Sequence, residues 1–311
     1  MSKKSRFIHA YKTNLKNQSR KGKSKHKNKI NQKEECRKSN DPYTQPKGIY
    51  STSTYKTYDE TCRSFIKWIF EKHASEVKSY MDCKKFAAEW LQEKEDAGKS
   101  AWTINMYASA LACSFGGISK SELGYTCPTR ERKDVTRNRN NDLNKVYPTK
   151  AKRDAVAMFK ATGCRRQELL RLRKEDFRKQ IDTDGHETGC LEVFKRGKGG
   201  IERWCLVNPK YTSFVISFLN QAKPHHYSKS GEERLFKKVD VPAEGVHGYR
   251  AIYAKDLYDF YEEKGYANGK LYYCRKELVG VTYDKGILEK VSYDLQHSRN
   301  SVVISYLWAM E

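Results

Sequence analysis

From Tyr50 onward, apolar residues recur at helical spacing. In YDETCRSFIKWIFEKH, Tyr58, Cys62, Phe65, Ile66 and Ile69 share one face, the signature of an amphipathic helix. CKKFAAEWLQEKEDAG repeats the pattern with Phe86, Trp90 and Leu91 and stops at Gly98. SAWTINMYASALACSFGG repeats it with Ile104, Tyr107, Leu111 and Phe115 and stops at Gly116 and Gly117, where glycine ends a helix. These three helices predict a helical domain over residues 48–122. Residues 123–148 are polar, basic and without periodicity, which predicts a linker. A second domain is predicted over residues 149–311. It opens with helices in AKRDAVAMFKATG and CRRQELLRLRKEDF. TGCLEVFK and IERWCLV flank the Gly-rich RGKGG and read as a β-hairpin. Helices follow in YTSFVISFLNQA, HGYRAIYAKDLYDFYEEKG, DKGILEKVSYDLQH and NSVVISYLW, with Asp284 and Asn300 as expected N-caps. The predicted fold class is mainly α with a small β-sheet (α+β).

Composition changes the picture at the N-terminus. The chain has 311 residues, 38% hydrophobic and 32% charged, enough for two cores and their connections. No stretch approaches the roughly 18 consecutive apolar residues of a membrane span. The opening MSKKSRFIHAYKTN lacks the apolar run of a secretory signal. Nine cysteines are scattered singly with no CxxC pair, which excludes a disulfide scaffold or zinc ribbon and suits a reducing, cytoplasmic setting. The formal charge is +23, and residues 1–50 hold 15 Lys/Arg against 3 Asp/Glu. About half the excess thus lies in a sixth of the chain. Residues 1–47 are expected to be a basic disordered tail. Such a tail is either a solvated solubility aid or a polycation lying along phosphates. The remainder is basic too, which favours nucleic acid.

The candidates for chemistry are Arg165, Lys198, His247, Arg250, His297 and Tyr306, with Glu168 in support. Each alone has an ordinary reading. Arg165 and Glu168 at i,i+3 make a helix surface pair; Lys198 sits in a Gly-rich turn; His247 and Arg250 lie one turn apart by chance; His297 caps a helix end; Tyr306 is one of 21 tyrosines. Together they form one chemical set. Guanidinium forks and imidazoles suit a phosphate, a phenol supplies a nucleophile, and a lysine supplies a proton to a leaving alkoxide. No dense Asp/Glu cluster accompanies them, which argues against a metal-dependent nuclease.

The order of these residues resembles the tyrosine recombinase, or phage integrase, family. Thr162, Gly163, Arg165 and Glu168 match its TGxRxxE box. Gly197, Lys198 and Gly199 match its hairpin lysine turn, and His247 and Arg250 match its HxxR box. Leu295, Gln296 and His297 match an LGH-type box, with Tyr306 nine residues later as the nucleophile. The stretch from Tyr55 to Phe115 resembles the family's core-binding domain. The resemblance implies a helical core-binding, DNA-binding domain and a mixed α/β catalytic domain of the DNA breaking-rejoining type. It implies a site-specific DNA recombinase that needs no metal, cofactor or ATP.

In the implied mechanism, Arg165, Arg250 and His297 hold the scissile phosphate and neutralise its transition-state charge. The phenol of Tyr306 attacks phosphorus, and His247 takes its proton. A free phenol ionises near pH 10, so deprotonation at pH 7 costs about 4 kcal/mol without such help. Lys198 protonates the departing 5′-oxygen, and Glu168 orients Arg165. A 3′-phosphotyrosyl link results. The implied partners are double-stranded DNA, a homo-tetramer on two duplexes, and an accessory DNA-bending or excision-directing protein. The implied setting is the nucleoid of the cytoplasm, and the implied role is integration and excision of a mobile element. A type IB-like topoisomerase and a non-catalytic DNA-binding regulator are the alternatives. Three features depart from the family pattern. ANGKLYYCRKELVGVTYDKG lengthens the gap between Arg250 and His297, Gln296 stands where glycine is usual, and only LWAME follows Tyr306, where members commonly carry a longer segment that docks on a neighbouring subunit.

Overall fold

The computed structural model describes residues 1–44, 46–131, 145–197, 202–226, 231–275, 278–297 and 299–308, with the His26 side chain excepted. The chain divides into two compact units, Met1–Asp134 and Val135–Glu311.

The first unit is helical: α1 (Lys3–Asn17), α2 (Lys25–Ser39), α3 (Thr52–Lys72), α4 (Ala87–Asp96) and α5 (Ala101–Ser114). Ser51 and Ser100 cap α3 and α5 by accepting from Thr54 N and Thr103 N, which satisfies donors that the first helical turn leaves free. Phe65, Ile66, Ile69, Trp90, Leu91, Ile104 and Leu111 fill the core.

The disordered tail expected over residues 1–47 is corrected here. Phe7, Tyr11 and Leu15 of α1 are fully buried in the same core. The Tyr11 hydroxyl donates to Asp59 at 2.9 Å, and Asn14 Nδ2 donates to Ser114 O at 2.7 Å. The physical reason is an i, i+4, i+8 stripe that puts three large apolar side chains on one helix face. α2 differs: it is helical, capped by Ser24, and none of its described side chains is buried.

The second unit begins with α6 (Lys150–Thr162), the four-residue α7 (Arg166–Leu169) and a three-stranded antiparallel sheet ordered β1 (Phe177–Ile181), β2 (Glu187–Arg196), β3 (Glu202–Leu206). The expected hairpin is β2–β3, in register Phe194 with Trp204 and Lys195 with Arg203. α8 (Thr212–Gln221) and the short pair β4 (His225–His226) and β5 (Glu233–Arg234) follow. Then come α9 (Val246–Glu263), the pair β6 (Leu271–Tyr273) and β7 (Thr282–Asp284), α10 (Lys285–Asp294) and α11 (Asn300–Leu307). α9 is the axis of this unit and packs against α6, α10 and α11.

Two local expectations shift. The helix read over CRRQELLRLRKEDF shrinks to one turn. Leu169, Leu170 and Leu172 all turn inward, and the Leu172 carbonyl accepts from Leu235 N at 2.9 Å instead of continuing the helix. Asp284 caps α10 as expected, accepting from Ile287 N, but Arg299 rather than Asn300 precedes α11 as its cap residue. The lengthened text between Arg250 and His297 forms the β6–β7 pair.

Candidate active site

The site grows around one buried guanidinium. Arg250 lies on the second turn of α9 and is 1% exposed. A buried cation needs acceptors on every side, and the fold brings them from three separate segments. Nη1 donates to Gly163 O at the end of α6. Nη2 donates to Leu295 O at 3.1 Å and to His297 Nε2 at 3.3 Å, both in the turn after α10. Nε donates to the Tyr306 hydroxyl on α11 at 3.4 Å. The TGxRxxE text, the HxxR text and the two C-terminal candidates therefore meet at Arg250.

Gly163 makes this possible. It ends α6 with φ +58, and a Cβ there would run into the Tyr253 ring. Only glycine takes that backbone and that approach without strain. The next residues form a second layer. Glu168 is buried; one carboxylate oxygen accepts from Arg165 N at 2.7 Å and the other from Arg165 Nη1 at 2.5 Å. The first of these lies 3.9 Å from Arg250 Nη1. Glu168 thus holds both guanidiniums, and the Arg165 side chain is 29% exposed.

His297 sits among cations. Burial first, then Arg250, Arg165, Arg299 and Lys195, push its pKa down to about 3, because each disfavours a second positive charge. The imidazole is therefore neutral at pH 7. A guanidinium only donates, so Nε2 accepts and the ring proton is on Nδ1. The His297 and Tyr306 rings lie 5.9 Å apart at 30°. Tyr306 is 7% exposed, and the Arg250 guanidinium carbon lies 5.5 Å from its ring centre.

Five of the seven sequence candidates are thus joined: Arg165, Glu168, Arg250, His297 and Tyr306. His247 is exposed on the first turn of α9, one turn ahead of Arg250. Lys198 lies outside the described residues, between β2 and β3 in the sequence. Sequence reasoning missed Lys195, which is 1% exposed and donates from Nζ to Asp294 O at 2.7 Å. Its signal was strand alternation: Leu191 and Val193 are buried on one face of β2, and period two puts Lys195 on that face. A buried carboxyl completes the layer beneath. Asp294 accepts from Leu206 N at 2.8 Å and from the Tyr261 hydroxyl at 2.7 Å, and burial raises its pKa. Among the described residues no His/Cys/Asp/Glu cluster is arranged to hold a metal ion. No helix among them is long and apolar enough to cross a membrane.

Comparison with known proteins places the fold. The chain has the helix-rich architecture with a small β component of site-specific recombinases. It is similar to the XerH site-specific recombinase bound to difH substrate in a pre-cleavage complex, with a TM-score of 0.52 and 16% identity over 96% of this chain and 90% of that one. It is equally similar to XerH bound to palindromic difH substrate in a post-cleavage complex, with a TM-score of 0.52 and 15% identity over the same shares. No protein-family model matches the sequence, and no curated protein matches it either. At such identities the likeness establishes the fold, and chemistry has to be argued from the site.

Proposed function

We propose that this chain is a tyrosine-type site-specific DNA recombinase that cuts and rejoins DNA through a 3′-phosphotyrosyl intermediate. The observation that carries this reading is the convergence on Arg250: a neutral imidazole, a second arginine within reach and a phenol 3.4 Å from Nε. Such a group of donors suits one phosphodiester. Arg165, Arg250 and His297 bind its non-bridging oxygens. The Tyr306 oxygen attacks phosphorus; a Tyr–O–P bond forms as the P–O5′ bond breaks. His247 accepts the phenolic proton, and Lys198 delivers one to the 5′-oxygen. Glu168 keeps both guanidiniums oriented and leaves the phosphate to them. The energy of the broken ester is kept in the new one, so a 5′-hydroxyl of another duplex reverses the step and joins recombined strands.

On this reading the helical unit and residues 149–311 divide DNA grip from chemistry. The assembly is a tetramer on two duplexes, and the role is integration and excision of a mobile element. The test is covalent capture. The full chain is incubated with a pool of nicked duplexes, stopped with detergent, and resolved on a denaturing gel. We expect a protein–DNA adduct with the wild-type chain and none with Tyr306→Phe, which still binds the recovered DNA. An adduct that survives Tyr306→Phe would falsify the nucleophile assignment. Relaxation of supercoiled DNA without any recovered sequence preference would move the reading to a type IB-like topoisomerase.

A further inference from the structure

Two costly features meet in the turn that carries His297. Gln296 has φ +56, one of two non-glycine residues with positive φ among those described, a backbone that strains any residue with a Cβ. Lys195 is a lysine buried to 1% exposure, and removing an ammonium from water is unfavourable. Neither cost is needed for the fold, since a glycine and an apolar residue would each remove one. Strain and buried charge retained together point to a role.

Their bonds run in both directions between the strand and the turn. Gln296 Nε2 donates to Lys195 O at 2.7 Å. Lys195 Nζ donates to Asp294 O at 2.7 Å and lies 4.7 Å from the centre of the Tyr253 ring. The turn is therefore fastened to β2 through both the backbone and the side chain of one strand residue. The next residue is His297, whose N–H donates to Ser292 O at 2.8 Å and whose ring meets Arg250 at 3.3 Å. The side chain of Gln296 reaches the strand from a backbone in the left-handed conformation.

We propose that Lys195 and Gln296 are positioning residues whose bonds, from Lys195 Nζ to Asp294 O and from Gln296 Nε2 to Lys195 O, lock the His297 turn to strand β2 and hold the imidazole against Arg250. The catalytic consequence rests on the recombinase reading; the placement of His297 does not. Fastening a turn at two points limits the imidazole to the short range over which it can serve a phosphate. Groups that face His297 and set its charge come from every neighbouring element: Arg250 on α9, Arg165 ahead of α7, Arg299 ahead of α11 and Lys195 on β2.

Two variants test this. Lys195→Met removes the buried cation that faces Asp294 and is expected to cost stability, so it is read only at a temperature where its melting curve shows it folded. Gln296→Gly relieves the positive φ and is decisive because it leaves every charge in place. The full chain is labelled with 15N-histidine, His297 is assigned by its loss in His297→Asn, and its ring is followed from pH 5 to 8. In the wild type we expect no titration in that window; in each variant the midpoint enters it. Single-turnover cleavage of the captured DNA should fall at least tenfold, with DNA affinity within threefold. The double variant should be no slower than the slower single, because one device has been broken twice. If Gln296→Gly leaves the titration or the cleavage rate unchanged, the proposal is overturned. If the wild-type chain cuts no DNA, the recombinase reading fails, and the titration alone decides the placement of His297.

Discussion

Acid should weaken the second unit through His297, by an amount that can be worked out. The unfolded chain binds a proton on this imidazole near pH 6.5, whereas the folded pKa is about 3. Between those values the unfolded state holds more protons, so stability falls as pH falls. The sign is that of a histidine held neutral: its penalty is absent above pH 6.5 and complete near pH 3. For a wholly buried group, the loss between pH 7 and pH 4.5 is about 2.5 kcal/mol. His297 keeps partial contact with solvent, and screening brings the expectation to about 1.5 kcal/mol. The control is His297→Asn, which keeps an acceptor for Arg250 and cannot titrate. Asp294, whose pKa is raised by burial, acts in the opposite direction, but it is common to both proteins and cancels. Urea midpoints at fixed ionic strength, read by hydrogen exchange in α9, separate this unit from the helical one. The wild type should lose about 1.5 kcal/mol more than the variant between pH 7 and 4.5. Parallel losses would refute a neutral His297 wedged among cations.

Gly163→Ala meets both a φ of +58 and the Tyr253 ring, so the second unit should lose about 2–4 kcal/mol; an unchanged melting temperature would contradict the packing described. Changing Lys25, Lys27, Lys29 and Lys33 of α2 to Gln should leave stability within about 0.5 kcal/mol, because none of these lysines is buried. If those lysines touch phosphates, the same change should flatten the log–log salt slope of DNA binding by up to about 3–4, from near −9 for about ten phosphate contacts. An unaltered slope would take α2 off the DNA. Deleting residues 1–18 removes Phe7, Tyr11 and Leu15 from the helical core and should unfold that unit; a melting curve identical to the wild type would show that α1 is dispensable.

The sequence made the helices legible where apolar spacing and glycine stops agreed. α3, α5, α6 and α9 fall where Phe65, Leu111, Phe159 and Tyr253 recur at helical intervals. The N-terminus was misjudged because charge, averaged over 47 residues, hid a stripe of three. Charge describes α2 well and α1 poorly: α1 carries lysines on its outer face while Phe7, Tyr11 and Leu15 turn inward. The site was legible as an ordered set of residue types, since phosphate chemistry narrows the choice to a few side chains. Its centre was not. Nothing in the spacing of Arg250 says that it is buried, or that Gly163, Leu295 and His297 supply its acceptors from residues 45 to 87 positions away. Gln296 was marked as a departure, yet its bond to Lys195 O spans 101 positions and needs the fold to be seen.

The occupancy of Arg250 bears on the order of events in the proposed reaction. A guanidinium has five N–H donors. Those of Arg250 face Gly163 O, Leu295 O, His297 Nε2, the Tyr306 hydroxyl and, at 3.9 Å, Glu168. A phosphate that binds here must therefore displace a protein acceptor. Bonds to the backbone carbonyls fix the guanidinium in place, while those to His297 and Tyr306 are longer, at 3.3 and 3.4 Å, and involve side chains that can turn. The incoming diester thus competes first for the donors now held by the imidazole and the phenol. Both exchanges assist the chemistry: the imidazole, no longer held at Nε2, is free to turn its Nδ1 proton toward an oxygen of the phosphate, and the phenol is released beside phosphorus as the substrate takes its place on the guanidinium. Tyr306→Phe should accordingly keep its hold on DNA while losing the adduct, because it removes a competitor for Nε along with the nucleophile. Weaker DNA binding by that variant would mean that the phenol helps to hold the phosphate, and the order proposed here would have to be reversed.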